Sequence, residues 1–245
     1  MGFGDQVEWY EELPSTMETT AARGREGAPE GLLVVAERQT AGRGRLGRHW
    51  ESPEGGIWLS LLLKPEPAFQ SFGLIGICFA IAAAESASHV ADLQVGVKWP
   101  NDIMVGDRKL GGLLAESHVE GDKVRFIVIG LGMNVNIPAE GFPAPLRDSA
   151  TSLLIEKGTP FSCKALISDF LERSEPLYRQ LLAGNKDKMF EEWNRLDTGP
   201  GKRIKAVRNG EVIDGQVSGI DPEGALLVEC PDGLKAVSSG EVEWL

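Results

Sequence analysis

The chain has 245 residues, a net charge of −11, 42% apolar residues and 25% charged residues. That balance excludes a disordered chain, which is poorer in apolar residues, and a collagen-like one, which carries Gly at every third position. A chain of this length buries roughly 70–75% of its unfolded surface, enough for a large core without covalent staples. Its acidity speaks against general binding to nucleic acid or to an anionic membrane surface. Cys78, Cys163 and Cys230 are far apart, odd in number and without metal-ligand spacing. Cys78 and Cys230 therefore read as small buried hydrophobes in a reducing, cytoplasmic compartment. The N-terminus is acidic and lacks an apolar signal segment, and the apolar stretch at 72–84 is too short to span a bilayer.

Residues 7–13 read as a strand ending at Pro14; Ser15 and Thr16 then offer N-cap oxygens to a helix over 16–25. The run 32–36 is a buried strand, 38–56 a loop rich in Gly and Arg, and 57–63 a further strand stopped by Pro65. An Ala- and Ile-rich helix over 72–90 is followed by a strand at 95–99 closed by Pro100. Strands at 103–105, 109–117 and 124–131, joined by turns at 106–107 and 121–122, favour an antiparallel or mixed sheet over a doubly wound parallel one. Helices are predicted at 149–156, 162–183 and 186–195. Thr198-Gly199-Pro200-Gly201 marks a boundary, dividing the chain into domains 1–197 and 198–245. Beyond it, short β patterns at 202–207, 211–219, 225–229, 233–237 and 241–244, separated by Asn209-Gly210, Glu223-Gly224 and Asp232-Gly233, predict a small closed barrel leaning on the large domain.

Four segments carry chemistry. Arg38, Arg43, Arg45 and Arg48 fall in a glycine-rich stretch with no acid from Arg38 to Trp50, a positive island in an acidic protein. Glycines let the backbone approach a ligand, and arginines grip carboxylate or phosphate with a permanent charge. A solvated basic loop or a nucleic-acid patch is the plainer alternative. Lys98-Trp99-Pro100-Asn101-Asp102 places a lysine at the end of an apolar strand, partly desolvated unless it meets an anion. Asp102 could pair with Lys98, hold a metal or orient another base. The glycines of Lys109-Leu110-Gly111-Gly112-Leu113 mark either a close approach or a bulge. Gly130-Leu131-Gly132-Met133-Asn134 is an incomplete dinucleotide fingerprint; Asn134 and Asn136 alternate and could read a base edge. His49, His89 and His118 are scattered and suit surface or packing roles.

In this order the segments, with Ala150-Thr151-Ser152-Leu153 and the β tail, resemble the biotin protein ligases over essentially the whole chain. The resemblance implies an α+β fold: a mixed or antiparallel sheet with helices packed on it, like class II synthetases, plus a C-terminal SH3-like β-barrel. It implies adenylation of biotin by MgATP, release of pyrophosphate, and transfer of biotin from biotinyl-5′-AMP to a lysine of a biotin carboxyl carrier protein of acetyl-CoA carboxylase or a related carboxylase. Carried onto this chain, Ser15, Thr16 and Gln39 would bind the ureido ring of biotin, with Gly42 beside it. Arg43 and Arg45 would hold carboxylate and α-phosphate, and Arg48 the remaining phosphates. Trp50 would cover adenine and Asn134 face it. Lys98 would touch acyl oxygen and phosphate, Gly111, Gly112 and Leu113 would flank biotin, and Asp102 would orient the acceptor lysine in the second step. A homodimer through sheet edges is allowed. Only about fourteen residues precede Ser15, too few for a winged helix-turn-helix, so a ligase without repressor function or nucleic-acid partner is expected. Lipoate ligases and lipoyl or octanoyl transferases are the rival reading.

Overall fold

The computed structural model describes residues 2–66, 69, 71–121, 123–208, 211–238 and 242–245. Its larger sheet runs in the order β1 (Val7–Leu13), β2 (Leu33–Gln39), β3 (Gly56–Leu63), β7 (Lys123–Asn134), β6 (Arg108–Glu120), β5 (Asp102–Val105) and β4 (Gly96–Lys98). The β1–β2 pair is parallel and the other neighbours are antiparallel, the mixed sheet that the strand spacing predicts. β7 continues to Asn134, three residues past the predicted run, because Gly56 and Ile57 still pair with Asn134 and Met133.

Side chains alternate across a strand, and here the alternation separates core from site. Ile57, Leu59, Leu61 and Leu63 of β3, with Ile127, Ile129, Leu131 and Met133 of β7, enter the main core. There they meet α2 (Phe72–Ala91), which is enclosed by the sheet, α4 (Cys163–Leu182) and α5 (Asp187–Leu196). Enclosure explains why α2 is apolar all round. It has the length and hydropathy to cross a membrane, yet 72% of that window is buried, as in a core helix. The opposite face presents Leu62, Phe126 and Val128 to Met17 and Ala21 of α1 (Thr16–Arg25).

The helix predicted from 149 starts later, as α3 (Leu153–Lys157). Residues 149–151 are instead stitched to Lys109: its N–H donates to Ser149 O at 2.8 Å, and its carbonyl accepts from Thr151 N at 2.9 Å. Ser152 then caps α3, its Oγ accepting from Ile155 N at 3.1 Å.

The second sheet is antiparallel, in the order β11 (Gly233–Val237), β10 (Leu226–Cys230), β9 (Glu211–Ile220), β8 (Arg203–Arg208) and β12 (Val242–Trp244). The predicted closed barrel is not formed: among the described residues β11 and β12 are outer strands that do not pair with each other. Ile204, Ile213, Val217, Leu226, Val228 and Val237 join the main core, so the sheet has no separate interior that needs closing. The predicted turns at Glu223-Gly224 and Asp232-Gly233 form, their glycines taking positive φ (88° and 124°), whereas Asn209, Gly210 and Asp122 lie outside the described residues.

Phe79 is fully buried, with the rings of Phe3, Phe170 and Tyr178 at 6.0, 6.1 and 6.0 Å. Phe79→Ala is expected to cost about 3–5 kcal/mol, read from the midpoint of urea unfolding at unchanged slope.

Candidate active site

A cavity of about 550 Å³ opens on the α1 face of the large sheet and reaches the C-terminal sheet through Val242 and Trp244. Its floor is the face of β7 that carries Gly130, Gly132 and Asn134. A Cβ on Gly130 would stand 2.5 Å from Met17 Sδ, and one on Gly132 would stand 2.7 Å from Trp50 Nε1. These strand glycines therefore let the start of α1 and the Trp50 indole sit directly on the sheet.

The arginine stretch is a folded-back hairpin. Gly44 N donates to Arg48 O at 2.7 Å, Trp50 N donates to Gly42 O at 3.0 Å, and Arg43 bridges His49. Its tip is a short turn, Arg45–Gly47, where Leu46 takes φ 58°, a left-handed backbone unusual for leucine. Arg43, Arg45 and Arg48 all line the cavity. Arg43 stands 3.8 Å from Glu18 and 3.6 Å from Glu116, loose half-exposed pairs that contribute little and yield readily to a closer anion. Arg45 is held more firmly. Its Nη1 donates to Asn101 Oδ1 at 3.4 Å, and burial pulls its pKa below the ordinary arginine value.

Lys98 ends β4 and, as its position in the sequence predicts, is partly desolvated; burial pulls its pKa below the usual lysine range. Asp102 lies opposite it in the ladder, yet the carboxylate pairs with Lys109, Oδ1 to Nζ 2.6 Å. Of the three roles open to Asp102, the structure realises the orientation of another base. Lys109 also stands over the Trp50 ring at 5.1 Å, making it a second ammonium on the cavity wall. Sequence reasoning gave Lys109 no role. The signal was present, since Lys109 opens the Lys-Leu-Gly-Gly run; in the structure a Cβ on Gly112 would lie 3.5 Å from its Nζ.

At the other end, Thr16 donates from its N–H and Oγ1 to Gln39 Oε1 at 2.8 and 3.1 Å, and Gln39 Nε2 donates to Ser52 Oγ at 3.0 Å. Thr16 Oγ1 also meets Ser60 Oγ at 2.8 Å. Ser15 occupies the N-cap position, but its hydroxyl makes no capping bond, contrary to the sequence expectation. That hydroxyl and Trp50 Nε1 are buried at the cavity without a partner. Each such group costs about 1–3 kcal/mol unless something satisfies it.

Gly112, Leu113 and Asn134 line the cavity, whereas Gly42 and Gly111 stand behind its wall. A Cβ on Gly42 would meet Trp50 O at 2.4 Å, and one on Gly111 would meet Gly132 O at 2.6 Å, so both serve backbone packing. Leu113 N donates to Asn101 O at 3.0 Å, and the Asn101 amide donates back to Leu113 O. Asn134 Nδ2 donates to Thr151 O at 3.0 Å. Asn136 does not read a base: its amide donates to Phe161 O and accepts from Phe161 N, both at 2.8 Å. His118 stacks on Phe126 at 4.4 Å, and His89 lies 2.8 Å from Asp169. The three cysteines are free; Cys78 is buried as predicted, while Cys230 is only partly so.

Residues 9–134 match the biotin/lipoate A/B protein ligase family, and residues 201–244 match the biotin protein ligase C-terminal domain. The chain is 36% identical over 241 residues to the bifunctional ligase/repressor BirA of Bacillus subtilis, across 98% of this chain and 74% of that protein. It is 28% identical over 244 residues to the biotin–[acetyl-CoA-carboxylase] ligase of Mycobacterium tuberculosis, across 97% of this chain and 88% of that one. The structure of the Aquifex aeolicus biotin protein ligase in complex with biotin and ATP matches with a TM-score of 0.86 at 27% identity, covering 98% of this chain and 99% of that chain. With its arginine hairpin, its lysine-bearing strand end and its C-terminal sheet in the matched segments, the chain belongs to the biotin/lipoate A/B protein ligase family and carries the C-terminal domain of biotin protein ligases.

Proposed function

We propose that the protein is an ATP-dependent biotin protein ligase, with residues 1–197 forming the biotin and ATP domain and 198–245 a small C-terminal domain. One observation carries the reading. Arg43, Arg45, Arg48, Lys98 and Lys109 surround a single cavity that also holds two unpartnered buried donors. The C-terminal domain match and the named relatives favour biotin over lipoate.

In the first step the biotin carboxylate attacks the α-phosphorus of ATP; a new P–O bond forms as the bond to pyrophosphate breaks. Two anions must approach, so positive charge has to be fixed where negative charge accumulates. Arg43 and Arg45 hold the carboxylate and α-phosphate, Arg48 the outer phosphates, and Lys98 the oxygens between them, with Lys109 kept in line by Asp102. Ser15, Thr16 and Gln39 take the ureido ring, and Gly112 and Leu113 flank the biotin body. Trp50 and Asn134 face adenine. ATP arrives as its magnesium complex. In the second step a neutral lysine of a biotin carboxyl carrier protein attacks the acyl carbon and AMP leaves. Asp102 would orient that amine if Lys109 swings onto the phosphate. Three free cysteines suit a cytoplasmic setting. The outer strand β1, with Val7 and Trp9 exposed, is an edge through which two copies would pair.

The deciding assay combines the protein, biotin, ATP, magnesium and a carrier domain. Pyrophosphate and a single-site mass increase are expected; their absence overturns the reading. Stabilisation by biotin with ATP should exceed that by lipoate with ATP in a thermal-shift comparison. Arg45→Gly removes a charged anchor and should release biotinyl-AMP about tenfold faster or more, measured by trapping the free intermediate. Lys98→Ala should lower the adenylation rate about 10²–10³-fold while leaving biotin affinity nearly intact. Lys98→Met should instead raise the urea midpoint at neutral pH. The native pKa of Lys98 lies below its unfolded value, so the charge opposes folding at low pH and the penalty fades as pH rises through the lowered pKa. The gain of the methionine variant should shrink over that range; a pH-independent gain would mean another cause.

A further inference from the structure

We propose that Trp244, on the last strand of the C-terminal sheet, is a positioning residue that holds the Lys98 ammonium in the adenylation site. The C-terminal segment grips three consecutive residues of one strand end. Val97 O accepts from Thr198 N at 2.8 Å and from Thr198 Oγ1 at 3.1 Å. Trp99 Nε1 donates to Gly224 O at 2.9 Å. Between these two tethers, the Lys98 Nζ lies 5.7 Å from the centre of the Trp244 ring. Lys98 is thus flanked by a backbone tether at Val97 and a side-chain tether at Trp99, both made to the segment that supplies the ring.

The choice of an aromatic partner has a chemical consequence. Among the described residues no carboxylate oxygen lies within 4.0 Å of the Lys98 ammonium: Asp102 and Asp107 act on it only at longer range, and Asp102 makes its direct pair with Lys109. A carboxylate would orient the ammonium and neutralise it. A π face attracts the cation while leaving its charge available to an incoming anion. Trp244 and Val242 also line the cavity, so the ring stands at the same opening as the ammonium it holds. This role rests on the ligase reading and adds to it the reason the C-terminal sheet belongs to the active site.

The test is a double-mutant cycle on pyrophosphate release, with kcat and the KM for ATP and for biotin measured separately. Trp244→Ala should lower kcat/KM for ATP about fivefold, with the KM for biotin unchanged. Trp244→Phe, which keeps a π face, should recover most of that loss. Trp244→Leu, which keeps apolar bulk alone, should not, and it guards against an alanine variant that folds poorly. In a Lys98→Met background, Trp244→Ala should have no further effect. Full activity in Trp244→Leu, or an equal loss in both Lys98 backgrounds, overturns the proposal while leaving the ligase reading intact. Wild-type protein that releases no pyrophosphate overturns both.

Discussion

Gathering like charges around one cavity is the constraint on which the site depends. Arg43, Arg45, Arg48, Lys98 and Lys109 would drive one another outward in an unsupported pocket. Four of them are restrained in different ways. Arg45 is tied to a neutral amide, Lys109 to a carboxylate, Lys98 faces a ring, and Arg43 hangs between two distant glutamates. The restraints are graded. The restraints on the sheet keep two ammonium groups in register, while the hairpin carries Arg45 on one hydrogen bond and Arg43 on the loosest pairs, whose glutamates a ligand can displace. Electrostatic preorganisation and an opening mouth are thus assigned to different parts of one cavity.

The sheet makes that division possible. β3 and β7 are each apolar on the side that meets α2. On the other side β7 thins out to Gly130, Gly132 and Asn134, and β3 carries the small Ser60 between Trp58 and Leu62. The core is therefore complete without help from the site, and the site can carry orphaned donors such as Ser15 Oγ at a cost the large core absorbs. α2, enclosed on every side, is the strut for this arrangement.

Much of this was legible in the sequence because it is local. Compact apolar runs bounded by prolines and turn residues located the strands, and the apolar run of α2 located its main helix. The Arg-rich stretch and Lys98 were readable because glycines and unpaired charge stand out along a chain. What escaped depends on contacts distant in sequence. The helix start near 149 was misplaced because the backbone of Lys109, forty residues earlier, claims residues 149–151. Asn136 looked like a base reader until Phe161 folded onto it. Gly42 and Gly111 were placed beside a ligand, but backbone oxygens of Trp50 and Gly132 occupy the space each leaves open. The barrel was expected to close because the strand count suits closure; the sequence could not reveal that the large domain would take in its apolar side chains.

β7 carries a last consequence. Its odd positions from Ile127 to Met133 need bulk, and its even positions Gly130 and Gly132 need emptiness. Neighbouring residues on one short strand are thus under opposite selection. Shrinking an odd one hollows out the interior, whereas enlarging Gly130 or Gly132 pushes Met17 or the Trp50 indole off the sheet and deforms the cavity that both line. Variation from Ile129 to Met133 should thus injure two different faces in turn, the interior at one residue and the cavity wall at the next.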